Sequence, residues 1–500
     1  MGRINKIIGY IFIVFLAGVL FSKFLHLLDL VPSVVAVFAV LIIVLFMAII
    51  YKKWDKIYSK IQHKLCFLNK LSLNKMILIV FLTSLLPKLL AIFVFQINSI
   101  DYHPDINVYA TTANELSLYG YTDKFAGYCF DYSHMFWFSL FLVPAVKAFG
   151  LSQITLSIYI AVILTISNLL IFDTIQYKFN KIKAFVITII FLLLPSQILL
   201  PGFITHEIAL FFFSSISLWI YFRILPTIKK LWIKVVLFTL FFINLLFSTL
   251  VNSAGLVLVI AILFVFIISG LRKINLKNFM NTAIKCISLI LVIAFGTIMS
   301  NCFQLTHSKL PEDYIKGDKV LWTLYVGSNI ETSGGWSMED SERFNKNKGI
   351  LDEKENKEYR KELIFERYSD MLKNPSQLLN LVTNKFKNMW SSYTYPVGFA
   401  NDTIVDKNIQ NFYNKFLFKP FSLLEYVTSV LTVILGLYST IKKRKTEKSD
   451  YYLLIELLLL GTTALLLLSE CNNKYITWAY IYIYISSLAL CSGKQSHTID

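Results

Sequence analysis

Asp105 heads the run Pro104-Asp105-Ile106-Asn107-Val108-Tyr109-Ala110, directly after an apolar segment and inside a short wet loop. Hydrocarbon cannot solvate an ionised carboxylate, so one at a membrane–water boundary is costly unless it is used. If this chain is an enzyme, its chemistry belongs here. The plainer alternative is a helix cap, since Asp is among the best N-caps. A cap alone leaves unexplained why an acidic loop sits against a lipid surface.

Three other places invite the same weighing. Glu207, in Thr205-His206-Glu207, stands where a span returns from the outside, after Pro195, Pro201 and Gly202 have broken the backbone. It is either a second carboxylate in the cleft of Asp105 or a helix-end charge, which is stabilising by about 0.3–1 kcal/mol. His206 reads as an interfacial aromatic, because no second His or Asp stands at ligand spacing. Lys88 lies beside Pro87, near the middle of an apolar segment. Snorkelling serves only near span ends, so Lys88 is expected either to pair with an anion or to line a cavity. Lys474-Tyr475 follows Glu470 at the mouth of the last span. It either snorkels or contacts the phosphate of a lipid-linked substrate.

The elements that must position these residues are apolar helices. Of the 500 residues 56% are apolar and 16% charged, with a mean hydropathy of +0.61. A soluble globule carries about 25% charged residues. A membrane helix needs about 20 mainly apolar residues. About twelve such stretches occur, at 7–27, 30–51, 76–96, 152–175, 184–201, 207–225, 233–251, 254–271, 284–303, 421–441, 451–469 and 474–491. The first reads as an uncleaved anchor, since no small-residue cleavage site follows it. The run 134–150 decides the topology. If it does not cross, the basic loops all fall on one side, among them 51–75, 176–183, Arg223 to Lys234, Arg272 to Lys285 and Lys442 to Lys448. The positive-inside bias therefore favours a membrane-parallel or re-entrant segment, with both termini cytoplasmic.

The expected class is an all-α polytopic membrane protein with juxtamembrane helices in its first outer loop and one larger outer loop. It divides into an N-terminal hairpin and basic loop (1–75), a transmembrane module with the first outer loop at 97–151 (76–303), an outer helical region (304–420) and C-terminal spans (421–500). In the outer region a charged helix is expected around 353–373, and Asn374-Pro375 restarts a helix with proline where its missing N–H costs little. Helices lying against the outer membrane face are the expectation there. The net charge of +17 is spread through short loops rather than gathered on one face, which argues against nucleic-acid binding. Six cysteines with no CxxC pair indicate neither zinc nor a disulfide scaffold.

The run Ile100 to Tyr109, followed by Ala113, Leu116 and Gly120-Tyr121, resembles the first outer loop of C-type glycosyltransferases. That superfamily includes protein O-mannosyltransferases and aminoarabinose transferases. Phe141 to Gly150 is similar to the end of the family's juxtamembrane helix, and Pro195 through Glu207 resembles its Pro…Thr-Glu element. Gly327-Ser328-Asn329 with Gly334-Gly335-Trp336 resembles a later loop, and Glu470 to Tyr475 resembles the terminal signature, with Lys474 where the family has Arg. The likeness covers roughly 76–492.

It implies a C-type fold and transfer of a sugar from a polyprenyl-phosphate donor, with inversion, to an outer glycan, lipid or protein. Asp105 would be the general base and Glu207 would orient the acceptor or set the electrostatics. Tyr109, His206, Lys88, Lys474 and Tyr475 would contact substrate, the lysines at the phosphate. No cofactor is implied and a divalent metal is not favoured. Two rivals share the layout. A lipid-linked-sugar flippase should show deeper charges and repeat symmetry, and a polysaccharide polymerase should carry Arg and His outside rather than an acidic first loop.

Overall fold

An apolar stretch crosses lipid only if its backbone bonds are satisfied internally, which leaves helices as the form for these runs. The computed structural model describes residues 2–30, 65–179, 181–272, 276–310, 318–347, 350, 352–390, 395–443 and 450–487. Among the described residues the chain is all-helical. The ladder contacts among those residues are isolated bridges, Ile97 to Ile404 and Thr122 to Ser308. The protein is a polytopic, helical membrane protein.

Among the described residues seven helices are long and apolar enough to cross: Leu73–Phe95, Gln153–Lys178, His206–Thr227, Leu231–Val251, Phe279–Thr306, Lys407–Tyr438 and Asp450–Leu468. The sequence pattern predicts about twelve, and the difference has particular causes. The stretch 30–51 lies almost wholly outside the described residues. The stretch 184–201 is two helices, Lys181–Leu192 and Pro195–Gly202, that meet at 66°, because Pro195 removes a helical donor and starts a new turn. The stretches 7–27 and 254–271 are helical, within Gly2–Leu30 and Gly255–Arg272, and their described side chains run over Ile7–Lys23 and Gly255–Leu271, just under a full span. The last stretch opens as a tight 3-10 helix, Asn473–Ala479, before the α-helix Tyr480–Ser487. The helix Lys407–Tyr438 runs straight through position 420, where the sequence pattern puts a boundary.

Ser133–Phe149 is the helix on which the topology depends. His134 at its start stacks 4.7 Å from His206, and Gln153 just past its end donates to the Gly202 carbonyl at 3.0 Å. His206 and Gly202 are neighbours in the chain, so both ends of this helix lie at one end of the bundle. That same end carries the C-termini of Leu73–Phe95 and Phe279–Thr306: Ser99 Oγ bonds Gln153, and Trp137 donates to Ser300 Oγ at 2.6 Å.

The most enclosed spans are His206–Thr227 and Asp450–Leu468, and Phe279–Thr306 is the most peripheral. The latter exposes Ile287, Leu291, Phe295 and Ile298 on one face, which lipid must cover. The N-terminal helix Gly2–Leu30 is wedged into the other side. Phe15 packs edge-on to Trp390 at 5.4 Å, and buried Lys23 faces buried Glu425. Glu425 in turn accepts the Ser196 N–H at 2.7 Å, at the break that leads to Glu207.

Outside the bundle, Glu353–Lys373 forms over the predicted residues, with Asp352 accepting the Glu355 N–H at its start, and Pro375–Trp390 follows. The first of them, with Lys319–Gly327 and Met338–Asn345, encloses a small core of Trp322, Tyr325, Val326, Phe344 and Leu363, locked by an ion pair between Arg367 and buried Asp340. Phe365 and Leu372, at helical spacing on the same helix, face outward.

Candidate active site

The loop that follows Leu73–Phe95 is a series of short helices. Asn98 caps Ser99–Tyr102, and His103 occupies the N-cap of Pro104–Tyr119. Asp105 is therefore not the cap. It sits in the first turn, where the helix dipole favours an anion, and its side chain turns away from the backbone. Lys474 Nζ lies 3.4 Å from Asp105 Oδ2, and Tyr128 Oη lies 3.4 Å from Oδ1. Both contacts are long for hydrogen bonds, so the carboxylate is tethered loosely. About a third of its side chain is open to solvent, against 11% for Lys474.

Beneath Asp105 is a buried polar floor. Burial, and then the nearby Asp105 and Glu207, raise the Tyr109 phenol well above its ordinary range. It stays protonated and shares a hydrogen bond with His206 Nδ1 at 2.9 Å. The other ring nitrogen, His206 Nε2, faces Glu207 Oε1 at 3.4 Å. Neither oxygen of Glu207 has a partner in hydrogen-bonding geometry, although the residue is 1% exposed. The Nδ1 of His103 is likewise buried and unpartnered. Leaving a buried polar group unmet costs about 1–3 kcal/mol, so this floor is built short of partners. The charges of Lys474 and Asp105 both act on Glu207.

Two further groups complete the rim. Glu470 accepts from Tyr475 Oη at 3.0 Å, and burial holds its carboxyl above the usual range while Lys474 works against the shift. Lys319 approaches His134 Nδ1 at 2.8 Å. Burial lowers the Lys319 ammonium to about 8, with Glu470 opposing. Below that pH it is charged and must be the donor to a neutral imidazole.

Of the residues singled out in the sequence, Asp105, Tyr109, His206, Glu207, Lys474 and Tyr475 gather at one end of the bundle. Lys88 does not join them. It is sealed inside Leu73–Phe95, where its Nζ donates to the Ser84 carbonyl at 2.7 Å and meets Ser84 Oγ at 3.1 Å. Thr165 and Asn168 of the neighbouring span complete that cluster through the Ser84 hydroxyl. Among the described residues no carboxylate stands at ion-pairing distance from it. A hydroxyl and a main-chain carbonyl thus do the work expected of an anion.

His103, His134, Lys319 and Tyr128 enter the site without having been singled out. The available signal was weak: Lys319 opens a helix behind Asp318, a place where the helix dipole disfavours a cation. Among the described residues no three His, Cys, Asp or Glu side chains gather to hold a metal ion. Set against known protein families, curated proteins and solved structures, the chain matches none.

Proposed function

We propose that this chain is a membrane glycosyltransferase that moves a sugar from a polyprenyl-phosphate donor to an acceptor hydroxyl at the outer face of the cell membrane. The observation that carries the reading is Asp105: a part-exposed carboxylate, loosely held by Lys474, above the buried carboxylate of Glu207, which His206 Nε2 faces at 3.4 Å. The sidedness follows from the basic loops, which put both termini in the cytoplasm and this end of the bundle outside.

In the reaction, Asp105 accepts the proton of the incoming hydroxyl as its oxygen attacks the anomeric carbon. The bond from that carbon to the phosphate oxygen breaks, and polyprenyl phosphate leaves with the electron pair. One displacement inverts the anomeric centre. Lys474 is the group for the leaving phosphate, and Lys319 is the second cation within the rim. A phosphate that draws Lys474 away also frees Asp105 to act as base. Glu207, with two unoccupied oxygens, receives sugar or acceptor hydroxyls. No step runs through a metal, because the side chains touching Asp105 are a lysine and a tyrosine rather than further carboxylates.

The test uses membranes carrying the full chain and a labelled polyprenyl-phosphate hexose. Transfer to endogenous acceptor is expected, and Asp105→Asn should lower it by about 10²–10⁴-fold. Unimpaired transfer by that variant ends the proposal. Donor that crosses the membrane with no sugar transferred makes the protein a flippase instead.

A further inference from the structure

Lys385 lies in Pro375–Trp390, on the outer side of the bundle, and its side chain is wholly buried. An ammonium has three donors and no acceptor. All three are met by main-chain carbonyls: Gly327 at 2.9 Å, Leu467 at 2.8 Å and Ser469 at 2.7 Å. Gly327 ends the helix Lys319–Gly327, and Leu467 and Ser469 stand at the end of Asp450–Leu468. The last carbonyls of a helix lack internal partners and carry the negative end of its dipole. One cation therefore joins two helix C-termini.

The surrounding chain is shaped to this contact. Gly334 has φ +78°, and a Cβ there would lie 2.3 Å from Lys385 Cε. A Cβ at Gly327 would lie 2.5 Å from the Ser469 carbonyl carbon. Cys471 then donates its N–H to the Gly334 carbonyl at 2.8 Å. The side chain of the next residue, Asn472, accepts the Lys474 N–H at 3.0 Å, and Lys474 reaches Asp105. Lys319 stands at the other end of the helix that Gly327 closes.

We infer that Lys385 is a positioning residue, whose ammonium sets Lys474 against Asp105 and anchors the helix that carries Lys319. It touches no reacting group and acts through the segment 469–474. The activity arm of its test rests on the transferase reading; the labelling arm does not.

The labelling arm places Lys474→Cys in the full chain in membranes and follows its reaction with a membrane-impermeant maleimide. The same chain lacking that cysteine is the blank, and the melting temperature serves as the reference for folding. With Lys385 present the site is shielded. Lys385→Met should raise the labelling rate at 474 by about tenfold or more while the melting temperature stays as before; an unchanged rate at 474 overturns the inference. The activity arm is a double-mutant cycle. Lys385→Met should cost about 10²-fold, as a 1 Å misplacement does. In a Lys474→Met background it should cost less than about threefold, because its route to the reaction is already cut. Equal losses in both backgrounds make Lys385 a general fold residue and overturn the inference. If Lys385→Met does not accumulate, Gly334→Ala leaves every charge in place and carries both arms with the same outcomes. A wild-type protein that transfers no sugar removes the proposed function, and the labelling result still decides this one.

Discussion

Two polar clusters sit in this apolar protein, and they differ in how completely they are satisfied. Around Lys88, midway along the bundle, the ammonium bonds its own helix, and Ser84 bridges to Thr165 and Asn168. Only Asn168 Oδ1 is left over. Around Asp105, at the end of the bundle that carries the candidate site, neither Glu207 oxygen has a partner in hydrogen-bonding geometry, His103 has an idle nitrogen, and the contacts of Asp105 are stretched to 3.4 Å. A closed set of partners holds helices together. An open set has unspent capacity for a ligand, and it is affordable only where the rest of the fold is stable enough to carry it.

The comparison can be broken at either cluster. The largest expected effect is at Asp105, where Asn should remove at least about 10²-fold of transfer with no loss of thermal stability. Next is Glu207→Gln. It keeps shape and removes charge, so transfer should fall by about tenfold or more while the melting temperature is no lower than wild type; a clear drop in melting temperature would make Glu207 a structural residue. A smaller effect is expected from pH. Lys319 loses its proton as pH rises through about 8, and the site then loses a positive charge facing the departing phosphate. Transfer should decline above that pH. Lys319→Arg, which stays charged, should carry the decline to higher pH, and an unmoved profile would remove Lys319 from the site. The smallest effect is at Lys88. Met there should leave transfer within about threefold and stability within about 1 kcal/mol, because an apolar isostere can replace a buried hydrogen-bonded charge at little cost. Loss of transfer in that variant would erase the distinction between the two clusters.

How far the sequence disclosed this arrangement depended on distance along the chain. The break at Pro195 and the helix restarting at Asn374-Pro375 are local, set by proline, and could be read directly. The gathering of Asp105 with Lys474 spans 369 residues and was legible only through residue type and the order of segments. Lys319 against His134 spans 185 residues, with neither residue in a suggestive run. Lys88 misled because a lysine satisfied by a serine one turn earlier reads the same in sequence as a lysine awaiting phosphate. Lys385 was hidden more deeply. It stands in an amphipathic outer helix among polar residues, where a lysine is usually solvated, and the carbonyls that hold it are main-chain groups that no residue code reveals. The final apolar stretch was predicted from composition, which cannot distinguish the 3-10 start at Asn473–Ala479 from a regular span. That tight start is what swings Lys474 toward Asp105.

The N-terminal helix lies outside the stretch that resembles the glycosyltransferases, yet Lys23 supplies the counter-charge to Glu425, and Glu425 holds the Ser196 N–H where the chain turns toward Glu207. Cutting that helix away would take the cation from buried Glu425, beside the very elbow that delivers the second carboxylate. By sequence the segment is an appendage; by charge it is part of the machine's frame, and a shortened version of this protein should be judged by whether that elbow survives.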